Sequence, residues 1–162
     1  MPGWELGGAY PGALGEVAAM HARYYFDRWG LDRSFEIEVG REVFEFGERF
    51  DPARDLILAA KADGALAGFL AVDGAGAMTE GARLRWFIVS EKQAGRGLGK
   101  ALLERAMAFV REKGYPRVYL WTYDGLSAAR SLYDRYGFCE ECVLPGIRWG
   151  QNLRMQKLTA AG

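Results

Sequence analysis

Residues 84–101, LRWFIVSEKQAGRGLGKA, decide how this chain is read. Leu84, Trp86 and Ile88 alternate with Phe87 and Val89, so a strand apolar on both faces is expected. A polar turn, Ser90 to Ala94, then reaches Gly95-Arg96-Gly97-Leu98-Gly99. A helix comes at once, with Leu98, Ala101, Leu102, Met107, Ala108, Phe109 and Val110 set among Lys100, Glu104, Arg105 and Arg111. Strand, glycine loop and helix N-terminus together make an anion site. Glycine lets the backbone approach a phosphate, and the first N–H groups of a helix have no helical partner. The helix dipole, Arg96 and Lys100 add attraction.

Two common phosphate motifs fail here. A Walker A loop ends well at Gly99-Lys100, but Ala101 has no hydroxyl for magnesium and Ala94 replaces the first glycine. A dinucleotide fingerprint fits Gly95 and Gly97 but meets Lys100 at its third glycine. The loop instead resembles the acyl-CoA loop of the GNAT superfamily of N-acyltransferases: Gln or Arg, two residues, Gly, one residue, Gly or Ala. Gly97 and Gly99 match it; Ala94 stands at the Gln/Arg position, with Gln93 one residue early. A second block, Ala129-Arg130-Ser131-Leu132-Tyr133-Asp134-Arg135-Tyr136-Gly137-Phe138, resembles that superfamily's A-x-x-L-Y-x-x-x-G-F helix end. Leu126 departs from an asparagine frequent three residues earlier, so that one pantetheine contact is either missing or made by Ser127.

The resemblance implies acetyl-CoA as acyl donor and no metal. It implies that Phe87, Ile88 and Val89 sit on a splayed strand holding the pantetheine and the thioester carbonyl. Gly95, Arg96, Gly97, Leu98, Gly99 and Lys100 would hold the pyrophosphate, and Ser127, Arg130 and Tyr133 would complete the cofactor site. Tyr133 is the implied acid for the departing thiolate; a phenol near pKa 10 and a thiol near 8.5 are roughly matched. The N-terminal half has a narrower likeness. His21 to Tyr25, Trp29-Gly30, Asp32 to Glu36, Asp51 to Arg54 and Asp63-Gly64 resemble GNAT domains fused behind winged-helix regulators.

Size and charge bound the rest. With 162 residues the chain suffices for one domain with a real core, read as a single acyltransferase domain over residues 1–162. Lys plus Arg and Asp plus Glu number 21 each, so no basic face for nucleic acid is expected. There is no signal-peptide pattern and no apolar run long enough for a bilayer, so cytoplasm is the default and no membrane partner is expected. A monomer or homodimer is anticipated. Cys139 and Cys142 form C-x-x-C after Gly137-Phe138 in an apparent strand. A redox pair would open a helix, and zinc needs further ligands where His21 is the only histidine. They read as ordinary core or strand thiols.

In order, Trp4 to Leu6 is a short strand and Leu14 to Trp29 a helix ended by Gly30. Ser34 caps a second helix containing Phe35, Ile37, Val39, Val43, Phe44 and Phe46, closed by Gly47 and Asp51-Pro52. Strands over 55–62 and 66–72 flank Asp63-Gly64. After the central strand and helix come a strand over 118–122 and a helix over 126–136. Strands over 139–144 and 149–158 join across Pro145-Gly146. The order β-α-α-β-β-β-α-β-α-β-β is that of the GNAT fold, an α/β (α+β) class. That fold is a mixed, mostly antiparallel six- to seven-stranded sheet flanked by about four helices.

The expected function is transfer of an acetyl group to a primary amine of a small molecule or peptide. The alternatives are a longer acyl group, or a non-catalytic CoA-binding or regulatory module. The general base stays open among Glu36, His21 and Asp27 on the early helices and a water relay. Tyr24, Tyr25, Phe26 and Trp29 read mainly as core, with some available to an acceptor pocket.

Overall fold

The computed structural model describes residues 3–124 and 126–162. The elements are β1 (Glu5–Gly7), α1 (Ala13–Trp29), α2 (Arg33–Glu48), β2 (Leu56–Ala62), β3 (Ala65–Asp73), β4 (Ala82–Val89), α3 (Leu98–Glu112), β5 (Arg117–Tyr123), α4 (Ser127–Arg135), β6 (Cys139–Arg148) and β7 (Gln151–Ala161). This is the order expected from the sequence. Seven strands form one sheet in the order β1-β2-β3-β4-β5-β7-β6. Every ladder is antiparallel except β4–β5, where α3 supplies the crossover that parallel neighbours need. No helix among the described residues is long and apolar enough to cross a membrane.

Each sheet face carries its own core. α3 lays Leu98, Leu102, Leu103, Met107 and Val110 against Leu84, Leu120 and Phe138. α1 and α2 lay Val17, Phe35, Val43 and Phe46 against Ile57, Phe69 and Ile88 on the other face. Each such fully buried side chain contributes about 1.5–3 kcal/mol. The α3 approach is close: a Cβ on Gly68 would stand 2.9 Å from a Leu98 methyl and 3.0 Å from a Leu102 methyl.

β4 departs from simple alternation. Its partners on β3 run Phe69↔Ile88 and then Ala71↔Arg85, so Trp86 and Phe87 together oppose Leu70. Trp86 has φ 54, so this is a β-bulge. The bulge reverses the parity of the strand beyond it. Leu84 shares the α3 face with Phe87 and Val89, while Trp86 and Ile88 face α1 and α2. The expected Leu84–Trp86–Ile88 face is therefore split. On its other side β4 pairs with β5 only at Ala82↔Val118 and Arg83↔Tyr119. Beyond Arg83 the two strands part, and the sheet forks as the resemblance implied.

Two boundaries differ from the sequence reading. Asp32, not Ser34, caps α2: its carboxylate accepts the Ser34 N–H at 2.9 Å. The β6–β7 turn is Trp149-Gly150, at φ 51 and 79, not Pro145-Gly146. Pro145 and Gly146 lie inside β6, opposite Arg154 and Leu153. β6 is the sheet's edge, where a residue without an N–H can face away from the ladder at little cost. Cys139 and Cys142 are free, exposed thiols on that edge.

Candidate active site

The loop between β4 and α3 comes first. Ser90 N–H donates to Ala67 O at 2.8 Å, holding the end of β4 to β3. One 3₁₀ turn, Glu91–Gln93, then leads to Gly95 and Gly97, at φ 73 and 84. Only glycine enters this left-handed region readily. Gly97 begins α3 with no side chain capping it, and the first helical bond is Ala101 N–H to Gly97 O at 3.0 Å. The first-turn N–H groups are thus left for an anion, at the positive end of a 15-residue helix. Gly95, Arg96, Gly97 and Lys100 are exposed. Leu98 is different: its side chain is fully buried, so only its main chain can face a ligand. A Cβ on Gly99 would lie 3.7 Å from both Phe87 and Val89, which sets the helix start against the fork. Gln93 is buried with Oε1 lacking a hydrogen-bond partner. The sequence offered it only as a misplaced consensus residue.

A cleft of about 170 Å³ occupies the fork. Its walls come from both faces of the sheet. His21, Tyr25, Phe35, Glu38, Val39 and Glu42 descend from α1 and α2. Leu84, Phe87 and Leu120 belong with Tyr133 to the α3–α4 side. Arg148 and Trp149 close one end from the β6–β7 turn. That turn is tied to the cap of α2, with Asp32 N–H donating to Trp149 O at 3.1 Å. The cleft therefore runs through the gap between β4 and β5 and joins the two sides.

Aromatic rings line the α1–α2 side. Tyr25 lies 5.2 Å from Phe35 and 5.4 Å from Tyr123, and Trp149 stands 5.0 Å from Phe35. Such rings offer an ammonium group both apolar contact and a cation–π face. Phe26, on the opposite side of α1, is exposed. Charges sit among the rings. Asp73, nearly buried, takes Arg49 through both oxygens at 3.2 and 2.6 Å and Arg85 at 3.2 Å. Arg85 also donates to Glu42 at 3.1 Å. Burial pushes the Asp73 carboxyl up, but Arg49, the Ala75 N–H and Arg85 outweigh it and hold the group below the usual carboxylate range. Glu38 accepts the Trp149 indole N–H at 2.6 Å and Arg148 at 3.1 Å.

Two residues expected to be chemical lie in this cleft. Tyr133 is buried, its ring 6.0 Å from Phe87 and 5.7 Å from Phe138. Burial alone raises its pKa above the ordinary phenol value, away from the thiol value that the sequence reading sets beside it. His21 is buried with Nδ1 2.9 Å from Val17 O. A carbonyl only accepts, so Nδ1 carries the proton and Nε2 keeps its lone pair. Burial lowers its pKa to about 4, against the opposing pull of the Val17 bond.

The other candidates scatter. Val89 packs toward α3, and Ile88 is buried in the α1–α2 core. Arg130 is engaged within the chain, by Asp134 at 3.3 Å and Gln156 at 3.2 Å. The Ser127 side chain lies outside what the structure describes. Glu36 and Asp27 are exposed and do not line the cleft. On α2 the cleft takes Phe35, Glu38, Val39 and Glu42, spaced i, i+3, i+4, i+7, and Glu36 points elsewhere. That spacing is the sequence signal that finds Glu38 and Glu42. Among the described residues no group of His, Cys, Asp or Glu could hold a metal ion.

Comparison with known proteins agrees with this architecture. Residues 16–138 match the acetyltransferase (GNAT) family. A mycothiol acetyltransferase of Clavibacter sepedonicus is 40% identical over 96 residues, 58% of this chain and 30% of that protein. One from Beutenbergia cavernae is 43% identical over 49 residues, 30% of this chain and 16% of that protein. The matches thus span less than a third of these relatives' length. Among solved structures, the Salmonella typhimurium protein yncA, determined with its cofactor acetyl-CoA, superposes at a TM-score of 0.76. It is 14% identical, over 98% of this chain and 93% of that one. A ribosomal-protein-alanine N-acetyltransferase from Brucella melitensis also reaches 0.76, at 17% identity over 97% and 99%. At these identities the likeness concerns the fold.

Proposed function

The chain belongs to the acetyltransferase (GNAT) family, and from that premise we propose that it moves the acetyl group of acetyl-CoA to a primary amine held in the α1–α2 half of the cleft. One observation carries the reading. The fork between β4 and β5 connects an uncapped helix start to a cleft with an aromatic, carboxylate-bearing wall, and Tyr133 stands at the crossing. Acetyl-CoA supplies the activated thioester.

Each part of the chain has a task in this account. The α3 N-terminus with Arg96 and Lys100 takes the pyrophosphate. N–H groups of β4 beyond Arg83, having lost their β5 partner, hold the pantetheine and the carbonyl oxygen at the bulge. The amine nitrogen bonds to the carbonyl carbon and the carbon–sulfur bond breaks. Tyr133 stays protonated and gives the thiolate a hydrogen bond; its raised pKa makes complete proton transfer uphill.

The acceptor enters as an ammonium and must lose a proton. His21 is a poor recipient. From an amine near pKa 10.4 to an imidazole at about 4 the transfer is uphill by about 6 units, or about 8 kcal/mol. Glu38 is occupied by Trp149 and Arg148. Glu42 is held by Arg85 through Oε2 alone, and its side chain is 43% exposed. Glu42 therefore draws the ammonium in and relays its proton to solvent through water. The segments resembling regulator-fused domains, His21 to Tyr25 and Asp32 to Glu36, belong to the helices that wall this half. What they would share with those domains is the acceptor site.

The test is mass spectrometry of an amine panel incubated with acetyl-CoA, including the acceptor of the mycothiol acetyltransferases. An acetylated amine formed at a rate set by the enzyme is expected. Acetyl-CoA hydrolysis that no amine accelerates would return the reading to a CoA-binding module.

A further inference from the structure

Arg83 is the one charged group of the cleft left without a partner among the described residues. It lines the cleft, and its Nε is buried with no hydrogen bond. Among the described residues no ion pair or hydrogen bond reaches its guanidinium, whereas its two neighbours in charge are satisfied. Arg85 has Asp73 and Glu42, and Arg148 has Glu38. Asp73 stands directly opposite Arg83 in the β3–β4 ladder, yet its oxygens go to Arg49, Arg85 and the Ala75 N–H. Glu80 also feels the Arg83 charge, but it is bonded to Lys157 at 3.0 Å. A buried donor without an acceptor is costly, and native proteins keep few of them.

Resting on the acetyl-transfer reading, we propose that Arg83 is an anion anchor and that the acceptor is an amine that also carries a carboxylate. Arg83 belongs to the last hydrogen-bonded pair before β4 and β5 part, so it stands at the closed end of the fork. The bulge and Tyr133 mark the reacting end. From Arg83 to Phe87 along β4 is about 10–13 Å at about 3.3 Å per residue, and the arginine side chain closes part of that. The span fits a short peptide whose amino end meets the thioester and whose carboxyl end meets Arg83. A guanidinium recognises a carboxylate through two parallel N–H donors, which would satisfy the orphaned Nε.

Glycine, diglycine and triglycine, each as free acid and as C-terminal amide, test this by rates of acetylation in wild type and Arg83→Gln. The wild type should prefer at least one free acid over its amide by about 10- to 100-fold in kcat/KM. Arg83→Gln should lose that preference, mainly through KM, and leave the amides and acetyl-CoA affinity unchanged. Because the Arg83 side chain makes no hydrogen bond or ion pair among the described residues, the variant should melt with the wild type. Equal use of acids and amides by the wild type, or a preference surviving in Arg83→Gln, overturns the anchor and leaves acetyl transfer standing. If none of the six is acetylated, binding decides. N-acetyl-diglycine acid should then quench the fluorescence of the cleft tryptophans Trp86, Trp121 and Trp149 in wild type and not in Arg83→Gln. Identical titrations of the two proteins would overturn it.

Discussion

Replacing Tyr133 by Phe separates chemistry from packing. The ring stays between Phe87 and Phe138, and only the hydroxyl is lost. Among the described residues nothing hydrogen-bonds that hydroxyl, and burial is the whole cause of its raised pKa. Removing it strands no partner and relieves a desolvated polar group, so stability should stay within about 1 kcal/mol of wild type or rise. The rate should behave oppositely. General acid help is worth about 10²–10⁴ in rate. A phenol that donates a hydrogen bond without surrendering its proton belongs at the low end, about 10²-fold in kcat or about 2.7 kcal/mol. The raised pKa also predicts a kcat that stays flat where an ordinary phenol would begin to ionise. The assay is CoA thiol release at saturating acetyl-CoA with one acceptor, by single turnover so that product release does not mask chemistry, with thermal melts alongside. A Tyr133→Phe protein with wild-type single-turnover rate would falsify the donor role. Lost activity together with a clear drop in melting temperature would show that the hydroxyl is structural.

The same geometry fixes three further outcomes. Gly97→Glu should abolish measurable acetyl-CoA binding in calorimetry while the protein stays folded: nothing lies within 4 Å of the new Cβ, and the left-handed φ of 84 costs about 1–2 kcal/mol. Glu42→Gln should lower kcat/KM for the amine and shift its pH profile, whereas Glu36→Gln, on the exposed face of α2, should match wild type in both. His21 titrates at about 4 in the fold and near 6.5 when unfolded, so the unfolded chain binds the extra proton between those values. Stability should therefore be full above pH 6.5 and fall by about 3 kcal/mol on acidification to pH 4, and His21→Gln should flatten that slope in denaturant titrations.

Much of this architecture is legible from local signals. Asp63-Gly64 takes positive φ at both positions, as its dipeptide suggests. The glycines of the β4–α3 loop and the Tyr133 block stand where chain-local spacing puts them. Features set by tertiary pairing are hidden from such signals. Period-2 counting cannot show that Trp86 bulges, because the bulge exists only against Leu70 on β3. Pro145-Gly146 looks like a turn until β6 proves to be an edge strand, where proline is tolerated. The choice between Glu36 and the pair Glu38 and Glu42 turns on which helix face meets the cleft. Phe35 and Val39 mark that face in the sequence, whereas the family resemblance points to Glu36. Arg83 cannot be singled out from sequence, since its isolation depends on Asp73 being taken by Arg49 and Arg85.

The central claim is that an amine reaches the thioester through the forked sheet. The most direct measurement is the rate of CoA release from acetyl-CoA with and without each member of an amine panel, paired with mass detection of the product. The account predicts at least one amine that raises the rate in a saturable way and gains an acetyl group mole for mole with CoA released. A rate that no amine changes, with acetyl-CoA still bound tightly, would contradict it.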